Sequence, residues 1–554
     1  MKMIKNIFKN KLLLFILLVG FVIRAYSLSN VPNGFHADEA AFGYNAYSIL
    51  QTGKDEYGEV LPLIIRSFDD YKGALYVYLT VPSVAFLGLT EFAVRLPTAV
   101  FGVLFILLSY LLSFKLTKDK KISLLTSLLI AINPLSVFLS RVQSDPLVSI
   151  FLVLFGFYTF LLWIEGDRKH WILLSVFTWI ASIYTYPSPR VLLPVLFASI
   201  LFFYYKKISL SKKRILVLAL LTVFLIDFFV IIGASQRLKQ LSIFNAPIVT
   251  LPMEESIRED ANNNVLITRF FHNKIIAHSL AVGKNYFDYF TPDFLFLKGG
   301  QPDREKIPGV GILYLVELPF LLYGLYLGFR NKEKWGKLSI FLILSFPFAL
   351  SFAVDESPNV HRYYINIFFL ELLVSLGIID FFYNLKVKHR LYHKPTLFLL
   401  AAVFILNFLY FTHQLFVHQP VHQPWYRGYA YKELVSELEK IEKKYKKIIF
   451  TKANSSPYIY LLFFKKYDPK VYQKKGSPRD FDYKGFDNYV FVPEDCPLGF
   501  HTDKFGKLIV RGEEDTLYIN KGSCPIPPKS VRLIKVVNWK DNNPTFSILE
   551  YIKK

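Results

Sequence analysis

Long apolar runs separated by short polar ones dominate the first three quarters of the chain. Twelve stand out, at roughly 12–28, 73–90, 96–116, 121–140, 145–164, 170–186, 190–205, 214–233, 309–329, 337–353, 361–383 and 395–412. Each approaches the roughly 20 apolar residues that a helix needs to cross a bilayer. Beyond about residue 420 the period changes. Tyr431 to Lys447 has the spacing of an amphipathic helix, Ile448 to Thr451 that of a strand, and Ser456 to Lys466 that of another helix. Short β-like runs follow at Tyr489–Val492, Lys507–Val510, Thr516–Ile519 and Val531–Ile534. The pattern predicts a mostly α, polytopic membrane bundle over 1–415. A soluble α+β domain of about 130 residues over 425–554 follows, large enough to fold alone.

The basic residues decide which runs cross. Lys115, Lys118, Lys120 and Lys121 form one cluster, and Lys206, Lys207, Lys212, Lys213 and Arg214 a second. Arg330, Lys332, Lys334 and Lys337 form a third, and Lys386, Lys388, Arg390 and Lys394 a fourth. All four fall on the cytoplasmic side, as basic loops should, only if 73–90 does not cross. That run contains Gly73 and Pro82 and is rich in Tyr, which suits a helix lying along the interface. About eleven spans result, from a basic, uncleaved N-terminal anchor with its N-terminus in the cytoplasm. The first external loop, 29–95, the loop 234–308 and the C-terminal domain are then extracytoplasmic.

Composition agrees with a multi-pass plasma-membrane protein. The chain is 53% hydrophobic, 17% aromatic and only 19% charged. Its formal charge of +22 would suggest nucleic acid in a soluble chain. Here the cations sit in loops beside the bilayer, and no nucleic-acid partner is expected. Both cysteines, Cys496 and Cys524, fall in the outer domain, where an oxidising compartment permits a disulfide; two buried thiols fit equally well. Asn454-Ser455-Ser456 fits a glycosylation sequon.

Candidate chemistry gathers on the outer face. Asp38 and Glu39 lie just beyond the first span, Tyr71 and Lys72 just before the interfacial run, and Arg141 and Asp145 in the turn before the fifth apolar run. His361 and Arg362 open a later span. Each has a plain explanation by itself: a wet loop, a headgroup anchor, an acid at a helix N-terminus. Together they make a bipartite site, with acids able to activate a hydroxyl and bases able to neutralise a lipid phosphate. Asp227 and Glu371 lie inside predicted spans, where buried structural hydrogen bonding is expected of them.

In this order Asp38-Glu39, Gly43-Tyr44-Asn45-Ala46, Tyr71-Lys72, Arg95-Leu96-Pro97, Ser140-Arg141 with Asp145-Pro146, and His361-Arg362 resemble the GT-C glycosyltransferases. The similarity is to the branch of protein O-mannosyltransferases and lipid A aminoarabinose transferases. It implies a sugar donor on a polyprenyl phosphate and an extracytoplasmic acceptor that is a protein, a lipid or a glycan. It also implies transfer by a single inverting displacement. Asp38 matches the reaction-centre acid, supported by Glu39, and Asp145 matches a second acid. Lys72 matches the lysine that neutralises the donor phosphate, with Tyr71, Arg141, His361 and Arg362 as further donor contacts. Lys72 precedes Gly73-Ala74, where that branch usually has a proline pair. The resemblance requires no cofactor, although it allows a divalent cation at Asp38 and Asp145. A ligase or polymerase using lipid-linked oligosaccharide is the nearest alternative, and a transporter or flippase a more distant one. The transporter lacks support because the two halves do not match and the polar groups avoid the bilayer centre.

Overall fold

Helix ends explain where the apolar runs become helices and where they break. The computed structural model describes residues 10–552, apart from 69, 167, 234–241, 261–263, 331–332, 355, 453–455, 476–484, 503–507 and 526–530. The sequon at Asn454 falls outside the described residues. The helices up to the middle of the chain are α1 (Lys11–Ala25), α2 (Ala37–Thr52), α3 (Leu75–Leu87), α4 (Glu91–Thr117), α5 (Lys120–Ile132), α6 (Pro134–Leu139), α7 (Asp145–Glu165), α8 (His170–Ile183), α9 (Pro189–Tyr204) and α10 (Leu210–Gly233). Then come α11 (Pro247–Glu259), α12 (Val265–Phe271), α13 (Lys274–Asp288), α14 (Leu318–Arg330), α15 (Lys334–Leu350), α16 (Val360–Tyr363), α17 (Ile365–Lys388) and α18 (Arg390–His413).

Three expected spans are not single helices, the run 361–383 being divided at Tyr364 between α16 and α17. The run 121–140 breaks between α5 and α6, where Asn133 leaves the helical region at ψ 129° and Pro134 cannot continue the ladder. Asn133 then accepts the Ser136 N–H and restarts the chain as a cap. The run 309–329 is helical only from Leu318, after a short 3₁₀ turn in which Glu317 bonds back to the Tyr314 N–H. Among the described residues four helices are by themselves long and apolar enough to cross a membrane: 91–117, 145–165, 365–388 and 390–418. At 13 residues α3 reaches about 20 Å, short of a hydrocarbon core of about 30 Å.

The chain divides into two compact units. The first comprises Met1–Arg24, Thr98–Ser140 and Ser144–Gln414. Within it α7 packs on α8, α14 and α5 on α17, and α9 on α15. Arg24, fully buried, joins α1 to α5 and α6. It donates to the Ala131 and Ile130 carbonyls at 2.8 and 3.2 Å and to the Ser136 and Ser140 hydroxyls at 3.1 Å each. Glu371 is buried on α17 and accepts the Asn133 side-chain N–H at 2.8 Å, a structural hydrogen bond of the kind expected.

The second unit is assembled from Ala25–Pro97, Arg141–Gln143 and Leu415–Lys554. Its early part holds α2, a hairpin of β1 (Ile64–Ser67) and β2 (Asp70–Gly73), and α3. Its later part holds helices α19 (Tyr431–Ile441), α20 (Pro457–Phe464) and α21 (Pro469–Lys475). The strands are β3 (Lys447–Thr451), β4 (Gly485–Phe486), β5 (Tyr489–Val492), β6 (Gly499–Thr502), β7 (Leu508–Arg511), β8 (Thr516–Lys521), β9 (Val531–Asn538) and β10 (Pro544–Tyr551). A six-stranded sheet runs β4-β5-β3-β8-β10-β9, with β3 parallel to β5 and β8 and its other pairs antiparallel. Cys496 and Cys524 form a disulfide.

Small residues let the first loop pack against this domain. On α2, Gly43 faces α20 so closely that an added Cβ would lie 2.6 Å from the Phe463 ring and 2.6 Å from the Val94 side chain. Tyr44 bonds the Tyr467 carbonyl at 3.1 Å, and Gln473 reaches Ser48, Thr52 and the Asp55 carbonyl. Gly43→Val should therefore overpack the unit and cost about 1–3 kcal/mol. Thermal unfolding of the detergent-solubilised protein would record it as a lowered midpoint. Gly283→Ala, on α13 with open space around it, should leave the midpoint in place or raise it slightly.

Candidate functional site

The site grows from the start of α2. His36 is the N-cap: its Nδ1 accepts the Asp38 N–H at 3.2 Å, while Glu39 at N3 accepts the His36 N–H at 3.0 Å. This is a capping box with an imidazole in place of the usual hydroxyl. The reciprocal bonds send the two neighbouring carboxylates to different surroundings.

Glu39 turns inward and is 1% exposed. Arg95 grips it with Nε to Oε1 at 2.9 Å and Nη2 to Oε2 at 3.0 Å. The Arg427 Nη2 donates to Oε2 at 2.7 Å, and the Gln143 N–H donates to Oε1 at 3.0 Å. Burial by itself would raise this carboxyl. The Arg95 and Arg427 charges and their hydrogen bonds outweigh it and hold the carboxyl down at about 2. Arg95 also bonds the carbonyls of Leu28, Pro32 and Gly34, so one guanidinium fixes both the carboxylate and the approach to the helix.

Asp38 turns outward and keeps 31% side-chain exposure. Lys72, on β2 opposite Ile65, places its ammonium directly against Asp38 Oδ1. The same ammonium lies 5.8 Å from the Phe42 ring centre and 5.5 Å from that of Phe68, and Lys72 is 16% exposed. Burial pushes the Asp38 carboxyl up. The Lys72 charge and the His36 hydrogen bond more than reverse this and leave it well below the usual carboxylate range. The arrangement offers a partly open anion next to a cation half sheltered by aromatic rings. A phosphate could replace the anion as the partner of Lys72.

The remaining candidates occupy varied settings. Tyr71, beside Lys72, is 62% exposed. Arg141 is fully buried; it donates to the carbonyls of Tyr26 and Val31 at 2.6 and 3.0 Å and lies 4.9 Å from the Phe416 ring centre. In the first unit, Asp145 is the first residue of α7, preceded by the Ser144 cap, whose hydroxyl accepts the Leu147 N–H. The short helix α16, which carries His361 and Arg362, packs against α7. His361 stands 4.0 Å from Glu305 and faces the Tyr186 ring edge-on. Sequence reasoning missed Arg427 and the structural weight of His36, Arg95 and Gln143. Arg95 was signalled by its motif; nothing in the local pattern singles out Arg427. Among the described residues no three His, Cys, Asp or Glu side chains gather as a metal site. Asp38 is engaged by the Lys72 ammonium instead.

The fold is similar to that of solved structures of ArnT. ArnT from Cupriavidus metallidurans bound to undecaprenyl phosphate aligns over 97% of both chains, with a TM-score of 0.55 and 11% identity. Its apo form aligns over the same shares, with a TM-score of 0.51 and 12% identity. The archaeal oligosaccharyltransferase AglB from Archaeoglobus fulgidus, in complex with an inhibitory peptide and a dolichol-phosphate, gives a TM-score of 0.49 at 14% identity. That match covers 83% of this chain, which spans 64% of AglB's length. No curated protein matches in sequence. The family model of the dolichyl-phosphate-mannose-protein mannosyltransferases matches residues 14–236, in line with the resemblance seen in the sequence.

The depressed Glu39 proton affinity has a definite pH signature. The unfolded carboxyl binds its proton near 4.5 and the folded one near 2. The contribution of Glu39 to stability is therefore complete above about pH 4.5 and is lost as pH falls from there through about 2. The difference in unfolding midpoint between the wild type and Glu39→Gln should be constant at neutral pH and shrink across that acidic window.

Proposed function

We propose that the chain transfers a sugar from a polyprenyl-phosphate donor to an extracytoplasmic acceptor by a single displacement that inverts the anomeric carbon. The observation that carries this reading is the Asp38–Lys72 pair: a partly exposed acid bonded to a sheltered ammonium at one end of a rigidly capped helix. The name of the matching family and the undecaprenyl phosphate of the ArnT structure both belong to lipids with a single phosphate, the group Lys72 would take.

In the reading, the donor phosphate draws the Lys72 ammonium away from Asp38. Losing that cation makes Asp38 more basic at the moment the donor is present. The acceptor O–H gives its proton to Asp38 as the oxygen bonds to the anomeric carbon. The bond from that carbon to the phosphate oxygen breaks, and its electron pair leaves with the polyprenyl phosphate, whose charge Lys72 offsets. Phosphate so neutralised is a competent leaving group, and no covalent sugar–enzyme step is required. Glu39 serves as the buried anchor of Asp38. Tyr71, Arg362 and His361 are assigned to the donor, and Asp145 to a supporting acid. Arg141, being fully buried, shapes residues 26–31 behind the site. The topology goes with this reading: eleven spans, the N-terminus in the cytoplasm, α3 along the outer interface and the C-terminal domain outside.

The direct test incubates the purified protein with a panel of polyprenyl-phosphate monosaccharides and follows released polyprenyl phosphate by mass spectrometry. Release from one donor identifies its sugar; release of lipid pyrophosphate from a lipid-linked oligosaccharide instead would move the chain to the ligases. Asp38→Asn should lower turnover by on the order of 10²–10⁴-fold, a loss far beyond any fall in the fraction folded. Lys72→Met should raise the donor KM on the order of 10- to 100-fold. With the cation gone, burial, the largest influence on Asp38, is opposed only by the His36 side chain, so the acidic limb of the rate–pH profile should also move to higher pH. Turnover near normal in Asp38→Asn would remove the acid from the reaction.

A further inference from the structure

We propose that Arg427, which lies far outside the matched domain, is a positioning residue for the reaction: it fixes Glu39 and thereby the first turn of α2 that carries Asp38. The inference rests on the transfer reading above. Arg427 closes a 3₁₀ turn, Pro424–Arg427, flanked by two left-handed residues, Gln423 at φ 48° and Gly428 at φ 60°. The guanidinium is buried at 3% exposure and donates to Glu39 Oε2 at 2.7 Å.

The backbone around it is fitted to the same place. Gly34, at φ 82°, comes so near that an added Cβ would stand 2.6 Å from the Arg427 carbonyl oxygen. Asn33 donates to the Pro420 carbonyl at 2.7 Å, its backbone N–H bonds Gln419 at 3.3 Å, and the Phe35 ring lies 4.7 Å from that of Phe463. Residues 33–36, which lead into the His36 cap, are thus seated against 419–428 and α20.

Charge argues for a role beyond pairing. Arg95 alone supplies the two-point grip that a buried carboxylate needs. Arg427 adds a second buried cation to the same carboxylate, at a point 388 residues further along the chain. What it fixes is the orientation of Glu39, one residue from Asp38 and joined to the same cap through the His36 N–H. Freed from Arg427, Glu39 could swing on Arg95 and take the Asp38 turn with it. A misplacement of about 1 Å at a reacting group can cost on the order of 100-fold in rate.

The test uses the full-length protein in detergent or nanodiscs and compares Arg427→Gln, Arg427→Lys, Glu39→Gln and the double variant Glu39→Gln/Arg427→Met. Hydrogen exchange read by mass spectrometry should show faster exchange of the amides of 38–42 in Arg427→Gln, with the protection of β3, β8 and β10 unchanged. In transfer assays Arg427→Gln should lower kcat on the order of 10- to 100-fold with donor KM within about 3-fold. Arg427→Lys should recover part of the loss. The double variant, which removes the Glu39 and Arg427 charges together, should match Glu39→Gln rather than multiply the defects. Unchanged exchange at 38–42, or a rate loss that only tracks the fraction folded, overturns the inference. If wild type releases polyprenyl phosphate from no donor, the transfer reading fails, and the exchange data alone decide whether Arg427 positions α2.

Discussion

Everything at the candidate site depends on one buried carboxylate, that of Glu39. It receives hydrogen bonds from Arg95, Arg427, Gln143 and the N-terminal turn of its own helix. A buried charge is tolerable only when its lone pairs are met, and here they are met by groups from three separated stretches of chain. Through this one group the first loop, the turn at 141–143 and the C-terminal domain become parts of one unit. The acid next to it can then remain partly open without the helix end losing its shape.

The two adjacent acids illustrate how identical chemistry is divided by geometry. In a helix, neighbouring residues point about 100° apart, so one of the pair faces the core when the other faces out. Glu39 meets guanidiniums and becomes a fixed anion; Asp38 meets a lysine ammonium that a ligand can compete for. An ammonium on a flexible stem suits an exchangeable partner, whereas the guanidinium fork suits a permanent one.

Much of this was legible in the chain because bilayer and sheet impose simple periods. The strands at 489–492 and 516–521 and the helices at 431–441 and 457–464 lie where the alternation of apolar residues puts them. The hairpin that carries Lys72 was not, since four-residue strands within a polar loop leave too short a pattern, and the closing strand β10 was missed as well. The break at Asn133-Pro134 is written in the residues, but a hydropathy window averages over it. Lys72 and Asp38 were both marked as candidates, yet their direct bond joins positions 34 residues apart, which no local rule reports. Arg427 was the least visible of all. Its meaning lies in a partner 388 residues earlier, and its own neighbourhood reads as a plain linker.

That separation of 388 residues has a temporal side. A ribosome adds roughly 5–20 residues per second, so Arg427 follows Glu39 by on the order of 20–80 s. Until then the first loop has Arg95 as its carboxylate's grip and lacks the surface that Gly34 and Gly43 are shaped to meet. The loop carrying the candidate acid thus reaches its final form among the last events of biogenesis. A chain truncated before Arg427 would still carry this loop unfinished, whatever its helices do.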